Sequence, residues 1–149
     1  MKGEGHMDVI RAFALAAFVV ALAGCNVAAA ADEEIDTSEA MAAAYQWLAL
    51  VDGGRGRDAY GGAAESFRKG VEQLKWEVSV DTLRDTLGGV VARKLRSAHY
   101  SRTLPGAPEG EYVVFTFDTR FEKKGLATEL AICEREKDGA WRAAGYWVK

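Results

Sequence analysis

Three side chains in the second half of the chain, His99, Tyr112 and Asp118, are of the types that transfer protons in enzymes. A carboxylate held in an apolar cavity has a raised pKa, so Asp118 could act as a general base with Tyr112 or His99 beside it. The alternative is that Asp118 lies on a solvated face or pairs with an arginine across strands, and that His99 is a surface histidine of a sheet. The two interpretations differ in whether these side chains meet in one cavity.

Motifs of other catalytic and metal sites are missing from the sequence. There is no GxSxG motif, and the glycine-rich stretch DGGRGRDAYGG lacks the Lys-Ser/Thr pair of a phosphate-binding loop. His6 falls in a predicted leader, which leaves His99 as the one histidine beyond it and excludes a zinc site built on two histidines. No motif supports a triad of Ser97, His99 and Asp118. We therefore predict no catalytic residue, no metal and no cofactor, and we do not expect an enzyme.

Aromatic residues near the end of the chain form a second class of candidates. Trp141 and Trp147 have the same parity along a predicted strand, so we expect them on one face and Tyr146 on the other. Aromatic side chains can fill a core, or they can line a groove that binds a ligand or partner. The predicted ligand or partner surface consists of Trp141, Trp147, Tyr112, Asp118 and His99.

The start of the chain predicts a signal peptide over residues 1–31. Its apolar run, residues 12–23, is too short to span a bilayer and is typical of the apolar region of a secretory leader. Cleavage has two alternatives. Leu22-Ala23-Gly24-Cys25 resembles the lipobox of bacterial lipoproteins, in which acyl chains on Cys25 hold the protein to a membrane. Ala29-Ala30-Ala31 is a small-x-small site, and cleavage after it would discard Cys25.

We accordingly expect an exported protein that is either periplasmic or tethered to a membrane as a lipoprotein. An acidic spacer is predicted at residues 32–37, followed by a single domain at residues 38–149. The formal net charge is −3, and the basic stretch RKLR is short, so nucleic acid is not an expected partner. Cys133 lies in a predicted strand, where we expect a small buried residue rather than a reactive thiol, and no internal disulfide.

Helical periodicity dominates the first half of the domain. The segments DTSEAMAAAYQWLALVDGG and EQLKWEVSVDTLRDTLGG repeat apolar residues at helical spacing and end in glycine pairs, so each predicts a helix. In the first, Met41, Tyr45, Leu48 and Val51 predict the buried stripe, with Trp47 at its edge. Between the two helices, GRDAYGGAAESFRKGV predicts one or two short helical turns.

Four segments with strand periodicity follow, VVARKLRSAHYSRTL, EYVVFTFDTRF, LATELAICERE and AWRAAGYWVK, joined by short turns. One of these turns, PGAPEG, is stiffened by Pro105 and Pro108 and is a further candidate contact surface. Helices followed by sequential strands predict an α+β fold, with N-terminal helices packed on a curved four-stranded antiparallel sheet. Such a domain would resemble the cystatin-like or nuclear-transport-factor-like cone.

The segment RKLRSAHYSRTLPGAPEGEYVVFTFDTRFEKK, with YQWLALVD before it and DGAWRAAGYWVK after it, resembles the bacterial envelope family known as domain of unknown function 4019. The resemblance extends from about Ala40 to Lys149, and LPGAPEGEYVV is its most specific part. The family implies a secreted or envelope protein and supplies no activity and no catalytic residues.

We therefore expect a non-catalytic envelope module that binds an envelope protein or a small ligand, and that meets a membrane only through a lipid on Cys25. One alternative is a small cone-shaped enzyme that uses Asp118 as a general base. The other is a purely structural envelope protein.

Overall fold

The computed structural model describes residues 35–149; the predicted signal peptide, Cys25 and residues 32–34 of the predicted spacer lie outside the described residues. As predicted, the fold is α+β, with helices that precede an antiparallel sheet. The helices are α1 (Ser38–Asp52), α2 (Gly56–Gly61), α3 (Glu65–Gly70) and α4 (Gln73–Leu87). The strands are β1 (Val90–Ser101), β2 (Tyr112–Phe121), β3 (Gly125–Arg135) and β4 (Trp141–Val148), and they lie side by side in that order. Within residues 35–149, none of the helices has the length and hydropathy needed to cross a bilayer.

The buried stripe of helix α1 coincides with the predicted one at Leu48 and Val51 and differs from it at the other positions. Ala40, Ala44, Trp47, Leu48 and Val51 are buried, whereas Tyr45 is 40% exposed. The prediction placed Trp47 at the edge, yet it is only 4% exposed, and its indole N–H donates to the carbonyl of Ala59 at 2.7 Å. The true stripe follows helical spacing through two alanines, whose small side chains were not recognised as core positions.

The core lies between the helices and one face of the sheet, here called the inner face. Val113, Phe115, Phe117 and Phe121 are buried on that side of β2, as their alternation predicts. Aromatic rings from the helices and β4 fill the layer above them: Trp47 stacks on Trp76 with ring centroids 5.4 Å apart. Further edge-to-face contacts join this stack to Phe67 and Tyr146. Most aromatic side chains among residues 35–149 therefore lie in the core.

A β-bulge in β4 overturns the predicted parity of its aromatic residues. Ile132 pairs with Gly145 and Cys133 pairs with Ala143, which leaves Ala144 as an extra residue in β4. Trp141 therefore packs with Tyr146 against the inner core, whereas Trp147 packs on the opposite, outer face of the sheet. The prediction that Trp141 and Trp147 share a face is wrong because one inserted residue reverses the alternation.

Candidate functional site

The outer face of the sheet carries an apolar pocket with a cavity volume of about 130 Å³. It lies where the β1–β2 loop, residues 102–111, folds back over the strands. Six side chains of three neighbouring strands form its floor: Tyr112, Val114, Leu130, Ile132, Ala144 and Trp147. Apolar and aromatic side chains that line a concave surface open to water are typical of ligand-binding sites. This pocket is therefore the candidate binding site of the domain.

The β1–β2 loop forms one wall of the pocket through Leu104, Pro105, Ala107 and Pro108. The hydroxyl of Tyr112 donates to the carbonyl of Pro108 at 2.9 Å, which holds the loop against the sheet. Gly110 makes this close approach feasible, since a Cβ atom there would lie 3.1 Å from the Tyr112 ring. The proline-containing turn that the sequence marks as a contact surface thus forms part of the pocket.

The Trp147 indole depends on a glycine in its own strand. A Cβ atom at Gly145 would lie 3.0 Å from Cη2 of Trp147 and 3.6 Å from Cδ1 of Ile132. The absent side chain leaves room for the indole to lie against the backbone of β4. The bulge at Ala144 and the glycine after it therefore place Trp147 in the floor of the pocket.

The pocket has a polar end, formed by Ser66 of α3 and Glu134 of β3. Helix α3 is attached to the edge of the sheet by the amide of Ala64, which donates to the carbonyl of Ala143 at 2.8 Å. The Ser66 hydroxyl donates to a carboxylate oxygen of Glu134. Burial and, to a lesser degree, the nearby charge of Glu134 raise the pKa of the Tyr112 hydroxyl above its ordinary value.

The structure divides the predicted surface residues between separate places. Tyr112 and Trp147 line the pocket, while Trp141 packs against the inner core. His99 is exposed on the edge strand β1, and Asp118 is six residues from Tyr112 along β2, about 20 Å at the rise of a strand. That Tyr112 and Trp147 bind a ligand stays a prediction, but the five residues do not form one surface.

The hypothesis that Asp118 is a base with a raised pKa is wrong. Arg96 forms a salt bridge with Asp118 on the outer face, and its hydrogen bond holds the pKa of Asp118 below the ordinary value. The alternative interpretation, a pair between Asp118 and an arginine of the neighbouring strand, is the one observed. The layer between helices and sheet, where a cone-shaped enzyme would hold its substrate, is filled by the aromatic cluster.

Sequence reasoning missed a buried ion network on the inner face, centred on Glu129. This carboxylate is fully buried and accepts four hydrogen bonds: 2.6 and 3.0 Å from Arg93, 2.7 Å from Thr119 and 2.7 Å from Tyr146. Arg93 also donates to Asp52 of α1 at 2.8 and 3.0 Å. Burial, followed by the charge of Glu129, raises the pKa of Tyr146 well above its ordinary value.

The signal for this network was present in the sequence. Glu129 has the same parity as Ala127, Ala131 and Cys133, so it stands in the apolar phase of β3. A carboxylate in that phase must find buried partners. Since its four acceptor positions are taken, Glu129 has none left for a substrate and acts as a structural carboxylate.

The cysteine of β3 is buried and free, as predicted for a small strand residue. Burial raises the pKa of the Cys133 thiol to about 12, which keeps it protonated at neutral pH. Among residues 35–149 no group of three or more histidine, cysteine or acidic side chains is arranged to hold a metal ion.

Comparison with known proteins agrees with the resemblance seen in the sequence. No curated protein matches the chain. A family model described as "Protein of unknown function (DUF4019)" matches residues 43–146, which is well over half of the chain and extends from α1 into β4. The chain therefore belongs to the DUF4019 family.

Proposed function

We propose that this protein is a non-catalytic binding module of the bacterial envelope, and that it holds a small apolar ligand in the outer-face pocket. The observation that carries the proposal is the enclosure of an apolar floor on the outer face of the sheet by the protein's own β1–β2 loop. The outer face of an antiparallel sheet can be polar and exposed to water, as it is farther along β2 at Thr116 and Asp118. Stability alone therefore does not require an apolar floor covered by a loop.

The volume of the pocket limits the size of the ligand. Dry engineered cavities of about 150 Å³ accept benzene, so a cavity of about 130 Å³ suits one six-membered ring or a short alkyl chain. Small ligands gain at most about 1.5 kcal/mol per heavy atom, and usually far less. We therefore expect dissociation constants of about 0.1–1 mM for single-ring probes, and tighter binding only for ligands that reach beyond the pocket.

The polar groups of the pocket support binding rather than catalysis. The Tyr112 hydroxyl donates to the Pro108 carbonyl, and Ser66 donates to Glu134. His99 and Asp118, which are also of proton-transfer type, do not line the pocket. Tyr112 and Glu134 are the titratable groups of the lining, and the raised pKa of Tyr112 keeps its hydroxyl protonated at neutral pH.

The test is titration of the ¹⁵N-labelled protein with benzyl alcohol, followed through the indole N–H signals of its tryptophans. The chemical shift of the Trp147 indole should change and reach a plateau as benzyl alcohol is added. The shift of Trp141, which packs on the inner face, should stay constant. Substituting Val114→Phe fills the pocket and should weaken binding at least tenfold. The matched control is Thr128→Phe, on the outer face of β3 but outside the pocket lining. This variant should bind benzyl alcohol like the unmodified protein.

Equal binding by the Val114→Phe and Thr128→Phe variants, or no saturable shift of Trp147, would contradict the proposal. Near-ultraviolet circular dichroism of both variants checks that each keeps the native packing. These measurements concern the domain alone and do not depend on where the protein resides.

Export is the second part of the proposal, and it is supported by the apolar run and by the lipobox-like segment that ends in Cys25. The full-length chain should be expressed in a bacterial host and its intact mass taken from membrane and soluble fractions. A mature chain that begins at Cys25 and carries acyl groups identifies a lipoprotein, and a chain that begins at Asp32 identifies a free periplasmic protein. An uncleaved chain in the cytosol would overturn the proposal of export.

A further inference from the structure

Among residues 35–149, Glu134 is the one charged side chain that lines the outer-face pocket. From its position we infer that the ligand carries a cationic head group, an ammonium or amidinium, joined to the apolar part that fills the pocket. This inference rests on the proposed function, because it names the ligand class of the same pocket.

The carboxylate of Glu134 has no cationic partner among residues 35–149. Arg142 stands opposite Glu134 in the β3–β4 register, but its guanidinium forms salt bridges with Glu136 and Asp138 instead. Arg135, the next residue of β3, pairs with Glu111 at 3.5 Å. The nearest arginines in the sheet are thus occupied by other carboxylates.

The hydrogen bonds of Glu134 leave acceptor capacity for a ligand. A carboxylate offers about four lone-pair sites, and the Ser66 hydroxyl uses one of them. The Glu134 side chain is only partly exposed and stands beside the apolar floor of the pocket, where a charge is less well screened than in bulk water. A cation placed there gains charge-assisted hydrogen bonds, whereas an anion is repelled.

The aromatic lining favours the same class of ligand. The rings of Trp147 and Tyr112 belong to the same pocket as Glu134, and aromatic faces attract ammonium and guanidinium groups. Burial and, in second place, the charge of Glu134 raise the pKa of Tyr112, as expected for two groups that line one pocket. The apolar volume, the aromatic rings and one carboxylate together suit a small hydrophobic cation.

Three probes with the same ring and different head groups test the inference at pH 7: benzylammonium, benzyl alcohol and benzoate. We expect the unmodified protein to bind benzylammonium about tenfold more tightly than benzyl alcohol, and benzoate most weakly. Titration is followed through the Trp147 indole signal, and the Val114→Phe variant must abolish each shift that arises in the pocket.

The variant Glu134→Gln keeps the shape of the side chain and removes its charge. The preference for benzylammonium over benzyl alcohol should fall to about twofold or less in this variant. Glu109→Gln removes the same charge from the exposed tip of the β1–β2 loop, outside the pocket lining, and should retain the full preference.

The inference is overturned if the unmodified protein binds the ammonium and the alcohol equally, a comparison that needs no variant. It is also overturned if the preference persists in Glu134→Gln or is lost equally in Glu109→Gln. In these cases benzyl alcohol still binds, so the proposed function stands. If none of the three probes moves the Trp147 signal, the proposed function fails together with the inference.

Discussion

Trp141 and Trp147 are six residues apart in β4, yet they pack on opposite faces of the sheet. An uninterrupted strand would place both on one face, but the extra residue Ala144 shifts the alternation by one position. Trp141 contributes to the inner core, while Trp147 lies on the outer face and lines the floor of the pocket.

Gly145→Ala should disturb the pocket through Trp147. The new methyl group would lie 3.0 Å from the indole, so the ring must move or the strand must shift. We expect a loss of about 1–2 kcal/mol in the free energy of unfolding, measured by urea denaturation, and weaker binding of single-ring probes. In a Trp147→Ala background the same substitution should cost about 0.5 kcal/mol or less, because the clashing group is gone. Equal costs in the two backgrounds would contradict this explanation.

The buried network around Glu129 should be sensitive to the loss of Arg93. Arg93→Ala leaves a fully buried carboxylate without its cation, and we expect a loss of about 3–5 kcal/mol in the free energy of unfolding. Tyr146→Phe removes one hydrogen bond to the same carboxylate and should cost about 1–2 kcal/mol.

The control for this network is Arg120→Ala, which removes an exposed arginine from β2 and should change the stability by about 0.5 kcal/mol or less. Replacing both charged residues, Arg93→Met with Glu129→Gln, should be less destabilising than Arg93→Ala alone, because the fully buried carboxylate is then removed together with its cation. Asp52 loses Arg93 in both variants and keeps Arg84 at 3.5 Å. If the double variant loses as much free energy of unfolding as Arg93→Ala or more, the arginine stabilises the fold through packing rather than through its pair with the carboxylate.

Cys133 should resist thiol reagents in the folded protein. Its pKa is raised to about 12 by burial, so at pH 8 the thiolate is a negligible fraction and the sulfur is out of reach of solvent. In a Cys25→Ser chain, labelling by iodoacetamide should be slower by about a thousandfold or more than in 6 M guanidinium chloride, where unfolding exposes the thiol. Rapid labelling of the native protein would show that β3 opens readily or that the thiol is exposed.

Asp138, in the turn before β4, should titrate well below an ordinary aspartate. A hydrogen bond from Arg142, reinforced by the amide of Ala140, lowers its pKa from 3.8 to about 2. A folded-state pKa below the unfolded value contributes stability above pH 4, and this contribution is lost as the pH falls toward 2. Carboxyl ¹³C chemical shifts measure the pKa directly. Arg142→Ala should raise it toward 3.8, while Arg120→Ala should leave it unchanged.

The sequence alone determined the elements and the class of the fold. Helical spacing and glycine pairs marked α1 and α4, and the alternation of Phe115 and Phe117 identified the buried face of β2. These features are local, because they depend on the periodicity of apolar residues within one segment. The DUF4019 resemblance was likewise readable from contiguous stretches, and the family match over residues 43–146 agrees with it.

Tertiary structure decided the places of the polar residues and the existence of the pocket. The sequence left open whether Asp118 lies in a cavity or pairs with an arginine, and only the register of β1 against β2 brings Arg96 to it and lowers its pKa. The registers that join β1, β2, β3 and β4 likewise surround Glu129 with Arg93 and Tyr146. These contacts join residues far apart in the chain, and a single inserted residue such as Ala144 changes which side chains meet. Local periodicity carries no information on such insertions, so the pocket could be found only from the assembled sheet and the loop that covers it.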